Sequence, residues 1–401
     1  MSTFSAPERS ASWRATRVAI SALFFTFGAG FGDWVVRIPD VQHRLELSQG
    51  TLGTALLAAS VGALIGVPLV SYLSVYFDAA ALTTATAVVS TVSLALPALA
   101  INLGLFVAAL FLLGIGNGAL GVMMNSQGAL LERRVNRPIM ASFHGVFSIG
   151  GLLGSVAAGW AAGTGISASA HLAGVAAVLT LVVLSAARYL IHDKPERTSR
   201  VYALADRRTA LFGLLAFCGL LCEGAVSDWS AVLMHDVRHV SPGLAGMGYT
   251  AFALSMAVLR LCGDFVANRF GPRTTVRLAG ATAVTGSTVI VFTSAVWASI
   301  LGFAILGAGL AVVGPTVISV ISRREPQPAV ALSVTTTAGY VGFLAGPPAI
   351  GYLAQATTLP TALLILVACC LAITVLGQAL PHRHPAPQQP CEAPDLDFSP
   401  G

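Results

Sequence analysis

Apolar runs long enough to cross a bilayer recur along the whole chain, separated by short polar segments. A helix needs about 20 apolar residues to cross about 30 Å of hydrocarbon. Runs of that length lie near residues 18–37, 50–73, 79–100, 103–127, 141–163, 169–190, 209–233, 244–267, 275–294, 297–320, 329–354 and 358–380. The pattern predicts an all-α membrane protein with twelve transmembrane helices. The start of the chain is polar, with Arg9, Arg14 and Arg17 ahead of an apolar run that continues from Val18 to Val36. A secretory leader has an apolar core of only about 7–15 residues and a small-residue cleavage site. The run therefore reads as the first retained span.

The two halves of the pattern repeat. Asp33-Trp34 matches Asp228-Trp229 at an offset of 195, and Gly53 then matches Gly248. Gly114, Gly116 and Gly121 match Gly307, Gly309 and Gly314 at 193, as does Glu132 with Glu325. Gly150, Gly154 and Gly159 match Gly342, Gly346 and Gly351 at 192. Each half holds six spans, an even number, so both enter and leave on one side and the repeats are parallel. The expected organisation is a cytoplasmic segment 1–17, a six-helix bundle 18–190, a charged linker 191–208, a second six-helix bundle 209–380 and a disordered, Pro-rich tail 381–401. Two such halves with a solute site between them near the midplane describe a rocking transporter.

Composition removes other classes. Hydrophobic residues make up 55% of the 401 positions and charged residues 10%, with a mean hydropathy of +0.80. A soluble domain carries about 25% charged residues. The net charge of +5 does not mark a nucleic-acid binder, because the basic residues lie in short loops and not on one face of a folded domain. Of the 22 Lys and Arg residues, eighteen fall on the side of the termini, three (Arg37, Arg44, Arg238) on the other, and Arg260 within a span. The positive-inside rule then predicts both termini in the cytoplasm and a multi-pass protein of the cytoplasmic (inner) membrane. Of the six cysteines, five sit in apolar runs and none forms a CxxC pair, so they read as packing residues with no metal site. No phosphate-cradling Gly-x-x-x-x-Gly-Lys-Ser/Thr and no HExxH occur. Neither an enzyme nor a cofactor is expected.

The segment Gly263–Arg273 (GDFVANRFGPR) follows span 8. It resembles the signature loop of the major facilitator superfamily, and the resemblance covers 18–380. It implies a twelve-helix fold working by alternating access and a cytoplasmic gate at Arg260, Asp264, Arg269, Gly271 and Arg273, with Arg260 and Asp264 four apart as its pair. In the matching loop Ser71–Asp78, Ser74 stands where the acid is expected and no basic residue follows, so the latch should be one-sided. The stretches Gly32–Pro39, Asn125–Glu132, Ser142–Gly151 and Glu223–Trp229 resemble the bacterial branch near fucose permeases and rhizopine-associated membrane proteins. That likeness implies acids in spans 1 and 4 for coupling and binding. Asp33 matches the first, while span 4 offers Asn117, Asn125 and Gln127 with no acid before Glu132.

Ionisable groups inside a membrane are functional candidates by default. Glu223 lies about 14 residues into span 7, roughly 21 Å along its helix, and its repeat mate is Gly28. It is the first proton-coupling candidate, followed by Asp33 and Asp228. Asp33 and Arg37, four apart, share a helix face and can pair. Asn117, Asn125, Gln127, His144, Trp34, Trp229 and Arg37 are candidates for a substrate cavity. For the first four the plain alternative is interhelical hydrogen bonding, and for the tryptophans interface anchoring. The expected function is proton-coupled secondary transport of a small, sugar-like or otherwise polar solute by a monomer in the lipid bilayer. Proton-driven efflux of a drug-like compound or biosynthetic product is the alternative. Span 5 lacks the Gly-Pro of such antiporters, which lies instead in span 11 at Gly346-Pro347. A non-transporting membrane sensor is the alternative of another class.

Overall fold

The computed structural model describes residues 13–135, 139–193, 207–325 and 328–382, with the side chains at 141, 207, 261–268, 323–324, 328–329 and 333 left undescribed. The expected segment 1–17, linker 191–208 and tail 381–401 thus lie largely outside the described residues. Among the described residues there are helices and turns and no strand.

The helices follow the apolar runs: α1 Trp13–Arg44, α2 Gln49–Leu73, α3 Ala79–Ser93, α4 Leu103–Val135, α5 Met140–Gly163 and α6 Ala168–Ala187. The second six are α7 Arg207–Val232, α8 Met247–Phe270, α9 Pro272–Phe292, α10 Val296–Leu310, α11 Pro328–Ala356 and α12 Leu364–Leu376. Among the described residues eleven spans are long and apolar enough to cross a membrane, and α11, at 29 residues, supplies the twelfth. Some spans are interrupted. Span 3 continues after Pro97 enters its second piece, Leu96–Leu99, and span 10 resumes as Val313–Arg324 with Pro315 in its first turn. Proline lacks the N–H that a continuous ladder needs. Helix α7 ends in a single π turn, Leu233–Val237. Helices α1 and α4 run to 32 and 33 residues, longer than their apolar runs, because hydropathy fades at polar helix ends while the backbone ladder continues.

Glycine sets how the helices cross. Gly28 and Gly32 of α1 lie against the carbonyls of Phe147 and Gly151 on α5, and Gly150 and Gly154 of α5 lie against those of Phe25 and Ala29. A methyl at any of the four would collide with backbone. Gly62 and Gly66 of α2 and Gly114 and Gly118 of α4 make a second reciprocal seam of this kind. Both are small-xxx-small crossings, in which close van der Waals contact replaces the hydrophobic driving force that lipid cannot supply. The second half repeats the design with Gly342 of α11 against Phe217 of α7 and Gly307 of α10 against Phe252 of α8.

The halves meet at the end of the bundle opposite the termini. Gly53 of α2 abuts the Pro347 carbonyl and Gly351 of α11. Beside it, the Ser48 hydroxyl and the Gly50 amide both donate to Gln355 Oε1 at 3.1 Å, and Thr54 Oγ1 donates to the Tyr352 hydroxyl at 2.9 Å. On the other flank Gly159 and Gly163 of α5 face Gly243, and Ser155 and Thr250 share a hydrogen bond of 2.9 Å. Gly159 and Gly351 are repeat mates, so both flanks close on equivalent glycines. Every described polar bond between the halves lies either at this end or, like the Phe31–Tyr249 ring contact, just below it. The described hydrogen bonds and glycine contacts between the halves fall at that end and not at the end that bears the termini.

Candidate functional site

Glu223 projects from the middle of α7 toward α8, where Arg260 Nη2 meets its Oε1 at 3.1 Å. The two side chains are 28% and 42% exposed. The pair is thus partly exposed and not sealed in the packed core. Tyr249, about three helical turns away on α8, is buried. Its ring packs on Phe31 of α1 at 6.1 Å between centroids. His144 of α5 is exposed and stacks edge-on to Phe24 at 5.3 Å. The Glu223–Arg260 pair thus joins α7 to α8, and Tyr249 carries α8 across to α1 of the other half.

Arg260 was expected in a gate with Asp264. The Asp264 side chain lies outside the described residues, and the described partner of Arg260 is Glu223, on another helix. Arg269 is exposed. Gly271 caps α9 with φ of +78°, a backbone that favours glycine. Arg273 donates to the Leu380 carbonyl at 3.0 Å and contacts His382, tying the start of α9 to the end of α12. In the first half Asp78 holds the equivalent cap, accepting from the amides of Ala80 and Ala81 at 3.0 and 3.1 Å.

A second polar group lies near the closed end, inside the first half. Asp33 and Arg37 do not pair directly. Asp33, 3% exposed, lies 3.3 Å from His171 Nε2, and Arg37 Nε donates to His171 Nδ1 at 3.3 Å. Arg37 pairs instead with Asp40 at 2.7 Å and donates to the Ile166 carbonyl at 2.8 Å. His171 therefore bridges the two residues that the i, i+4 spacing had joined. Sequence reasoning passed over it, although an imidazole in the run 169–190 satisfies the same rule that singled out Glu223. Asp228, the repeat mate of Asp33, has no such imidazole, since Leu364 stands where the repeat places His171.

The remaining candidates are spread out. Asn117 accepts from Ser90 at 2.6 Å and lines, with Trp34, a cavity of about 20 Å³ inside the first half. Asn125 folds back on the Gly121 carbonyl at 2.7 Å. Gln127 is fully buried and makes two 2.9 Å bonds to the backbone of Ile191, which ties the end of the sixth span to α4. Both tryptophans are inside the protein: Trp34 packs on Phe106 and Trp229, 0% exposed, lies where α2 and α11 cross. Neither is an interface anchor. Cys218 and Cys222 of α7 meet Cys369 and Cys370 of α12 as buried free thiols, with Cys222 and Cys370 4.0 Å apart.

Two six-helix halves that meet at one end, with an ion pair at membrane depth in the second, have the build of a multi-pass membrane transporter of small solutes. The chain belongs to the major facilitator superfamily: the family model matches residues 18–326 and 212–395. An uncharacterised MFS-type transporter of Yersinia pestis is 30% identical over 92% of this chain and 95% of its own length. Membrane protein MosC of Rhizobium meliloti is 31% identical over 88% of each chain. Among solved structures, a D-xylose–proton symporter superposes with a TM-score of 0.74 at 16% identity, covering 93% of this chain and 99% of that one. The nucleoside transporter NupG gives 0.73 at 14%, covering 91% and 98%. An inward-facing, unoccupied bacterial homologue of the lysosomal transporter Spinster gives 0.72 at 14%, covering 92% and 97%. These likenesses show the fold.

Proposed function

We propose that the protein is a proton-coupled transporter of a small polar solute, with Glu223 as the protonated group and Arg260 as its switchable partner. The observation that carries the reading is the 3.1 Å Glu223–Arg260 pair, partly exposed at membrane depth. A charge at the bilayer centre costs about 2.5–3.5 kcal/mol on insertion scales, so neither partner is there for the hydrophobic packing alone. Protonation of Glu223 removes the anion that holds Arg260. The freed guanidinium then offers a fork of donors to a polar or anionic group on the solute. Proton and solute thereby act on one ion pair.

With both termini in the cytoplasm, the halves meet at the outer end, which we read as an inward-facing state. The eighteen-to-three split of basic residues supports that orientation. The solute is identified by thermal shift on the purified protein against sugars, polyols, organic acids and lipophilic cations at pH 5.5 and 7.5. A polar hit is expected. Hits confined to lipophilic cations would support efflux instead. In vesicles loaded with the hit, Glu223→Gln should abolish accumulation driven by an imposed pH gradient while leaving exchange at equal pH. Unchanged gradient-driven uptake would remove Glu223 from the coupling step.

A further inference from the structure

His43, at the end of α1, and His235 and Asp236, in the π turn after α7, meet where the two halves close. His43 Nε2 lies 2.9 Å and His235 Nδ1 2.8 Å from the same oxygen, Asp236 Oδ1. The two imidazole rings are edge to face at 4.9 Å between centroids. One nitrogen from each ring and a carboxylate oxygen all lie within 4.8 Å of one another. The side chains are 50%, 25% and 21% exposed, so water and ions reach them.

We propose that this cluster is a divalent transition-metal site, suited to Zn²⁺, which clamps the two halves together at their closed end. Two imidazoles and one carboxylate are a known zinc ligand set, and a tetrahedral ion held by three protein ligands keeps its fourth position for water. Hard ions such as Mg²⁺ and Ca²⁺ prefer all-oxygen shells, so the donor set selects against them. The π turn is part of the design: it places two adjacent residues, His235 and Asp236, on the same point. Such single π turns often mark functional sites in helices. The metal takes the lone pairs of the imidazole nitrogens that face Asp236 Oδ1, so ion and proton compete for them and binding weakens as pH falls.

The ligands come from opposite halves, one from α1 and two from the end of α7. Opening this end separates His43 from His235 and Asp236. The ion therefore binds the closed state and not the open one, and a ligand shifts an equilibrium by the difference of its affinities for the two states. Zinc at this site stabilises the conformation described here and arrests the transport cycle. The inference rests on the cluster alone and holds whatever the solute proves to be.

The test is Zn²⁺ titration of the purified full-length protein by calorimetry and thermal shift, with His43→Ala and His235→Ala as variants. Wild-type protein should bind one ion and gain thermal stability that a chelator reverses and Mg²⁺ does not reproduce. Each variant should weaken binding by at least the roughly tenfold that even outer-shell changes cost. His43→Gln, at a half-exposed position, serves where the alanine variant fails to purify as a single species. Co²⁺ gives a spectroscopic check. Nitrogen and oxygen ligation produces weak visible bands, whereas binding to the buried thiols of Cys218, Cys222, Cys369 or Cys370 adds strong near-ultraviolet thiolate absorption. Spin labels at Val75 and Phe270, exposed on each half at the end bearing the termini, should keep a long separation when zinc is added. Absence of wild-type binding, binding unchanged in both histidine variants, a thiolate spectrum, or labels that approach on adding zinc would each overturn the proposal.

Discussion

Arg44 and Arg238, which the repeat aligns at an offset of 194, do the same work in the two halves. Arg44 donates to the carbonyls of Ala98 and Ala100 at the end of the third span. Arg238 donates to the Ile290 carbonyl at 2.9 Å near the end of α9, and to Ser299 at 3.1 Å. Both satisfy carbonyls that a helix terminus leaves without an intrahelical partner. A hydrogen bond to a charged group contributes about 1.5–3 kcal/mol, less here where water competes. Arg44→Ala and Arg238→Ala should each lower stability by about 1–2 kcal/mol, read as a fall in melting temperature of the detergent-purified protein, with solute binding retained. A variant that melts as the wild type would deny the capping role. The same residues show what a sequence tells at this scale. Glu223 was legible because one rule, an unduplicated acid inside a span, needs no knowledge of neighbours. Its partner was not: Arg260 is 37 residues away, and the local four-residue spacing to Asp264 was the more visible pairing. His171 was hidden in the same way, between two residues that seemed already to have each other.

Among the elements, the glycine seams decide the architecture. The triads Gly114/Gly116/Gly121 and Gly150/Gly154/Gly159 were readable as repeat markers, but the repeat does not say which glycines touch backbone. The structure separates them. Gly118 abuts the Ala63 carbonyl, whereas Gly121 has nothing within 4 Å of an added methyl. Gly121→Ala should therefore leave folding unchanged, while Gly118→Ala and Gly28→Ala should each cost about 1–3 kcal/mol, the usual range for overpacking. Yield of monodisperse protein and melting temperature check the contrast, and equal behaviour of the three variants would contradict it. Span number and approximate limits followed from hydropathy alone. The breaks in spans 3 and 10 did not, because a proline within an apolar run is silent to a hydropathy window. The π turn after α7 has no sequence mark at all.

At the scale of the whole molecule, the two halves close against each other at one end. Gly351 meets Gly53 there, and the polar clasp of Ser48, Gly50 and Gln355 lies beside it. A bulky residue at Gly351 removes close contact in this state and has no described counterpart cost in the opposite one. Gly351→Val should shift the population toward the alternate opening. With the native cysteines replaced, a cysteine at position 155 should then react with a membrane-impermeant thiol reagent added from the closed side, where the parent protein stays protected. Continued protection would mean that this seam does not set the equilibrium. The two-half plan was plain in the sequence because offsets of 192–195 recur in three pairs of spans. The conformational state was not, since one sequence encodes every state of the cycle.

The cluster of His43, His235 and Asp236 stands apart from that repeat. At the offset of 194 that pairs Arg44 with Arg238, His43 falls on Val237, and His235 and Asp236 fall on Val41 and Gln42, so the repeat supplies no second set of imidazoles and carboxylate. In an exact dimer of identical halves, any contact between unlike residues across the axis would occur twice. Here the second copy cannot assemble, so the stoichiometry is one per chain. Occupancy of such a solitary site rises hyperbolically with ion concentration, with a Hill coefficient of one. The dose response of any effect transmitted through it is graded, with no threshold.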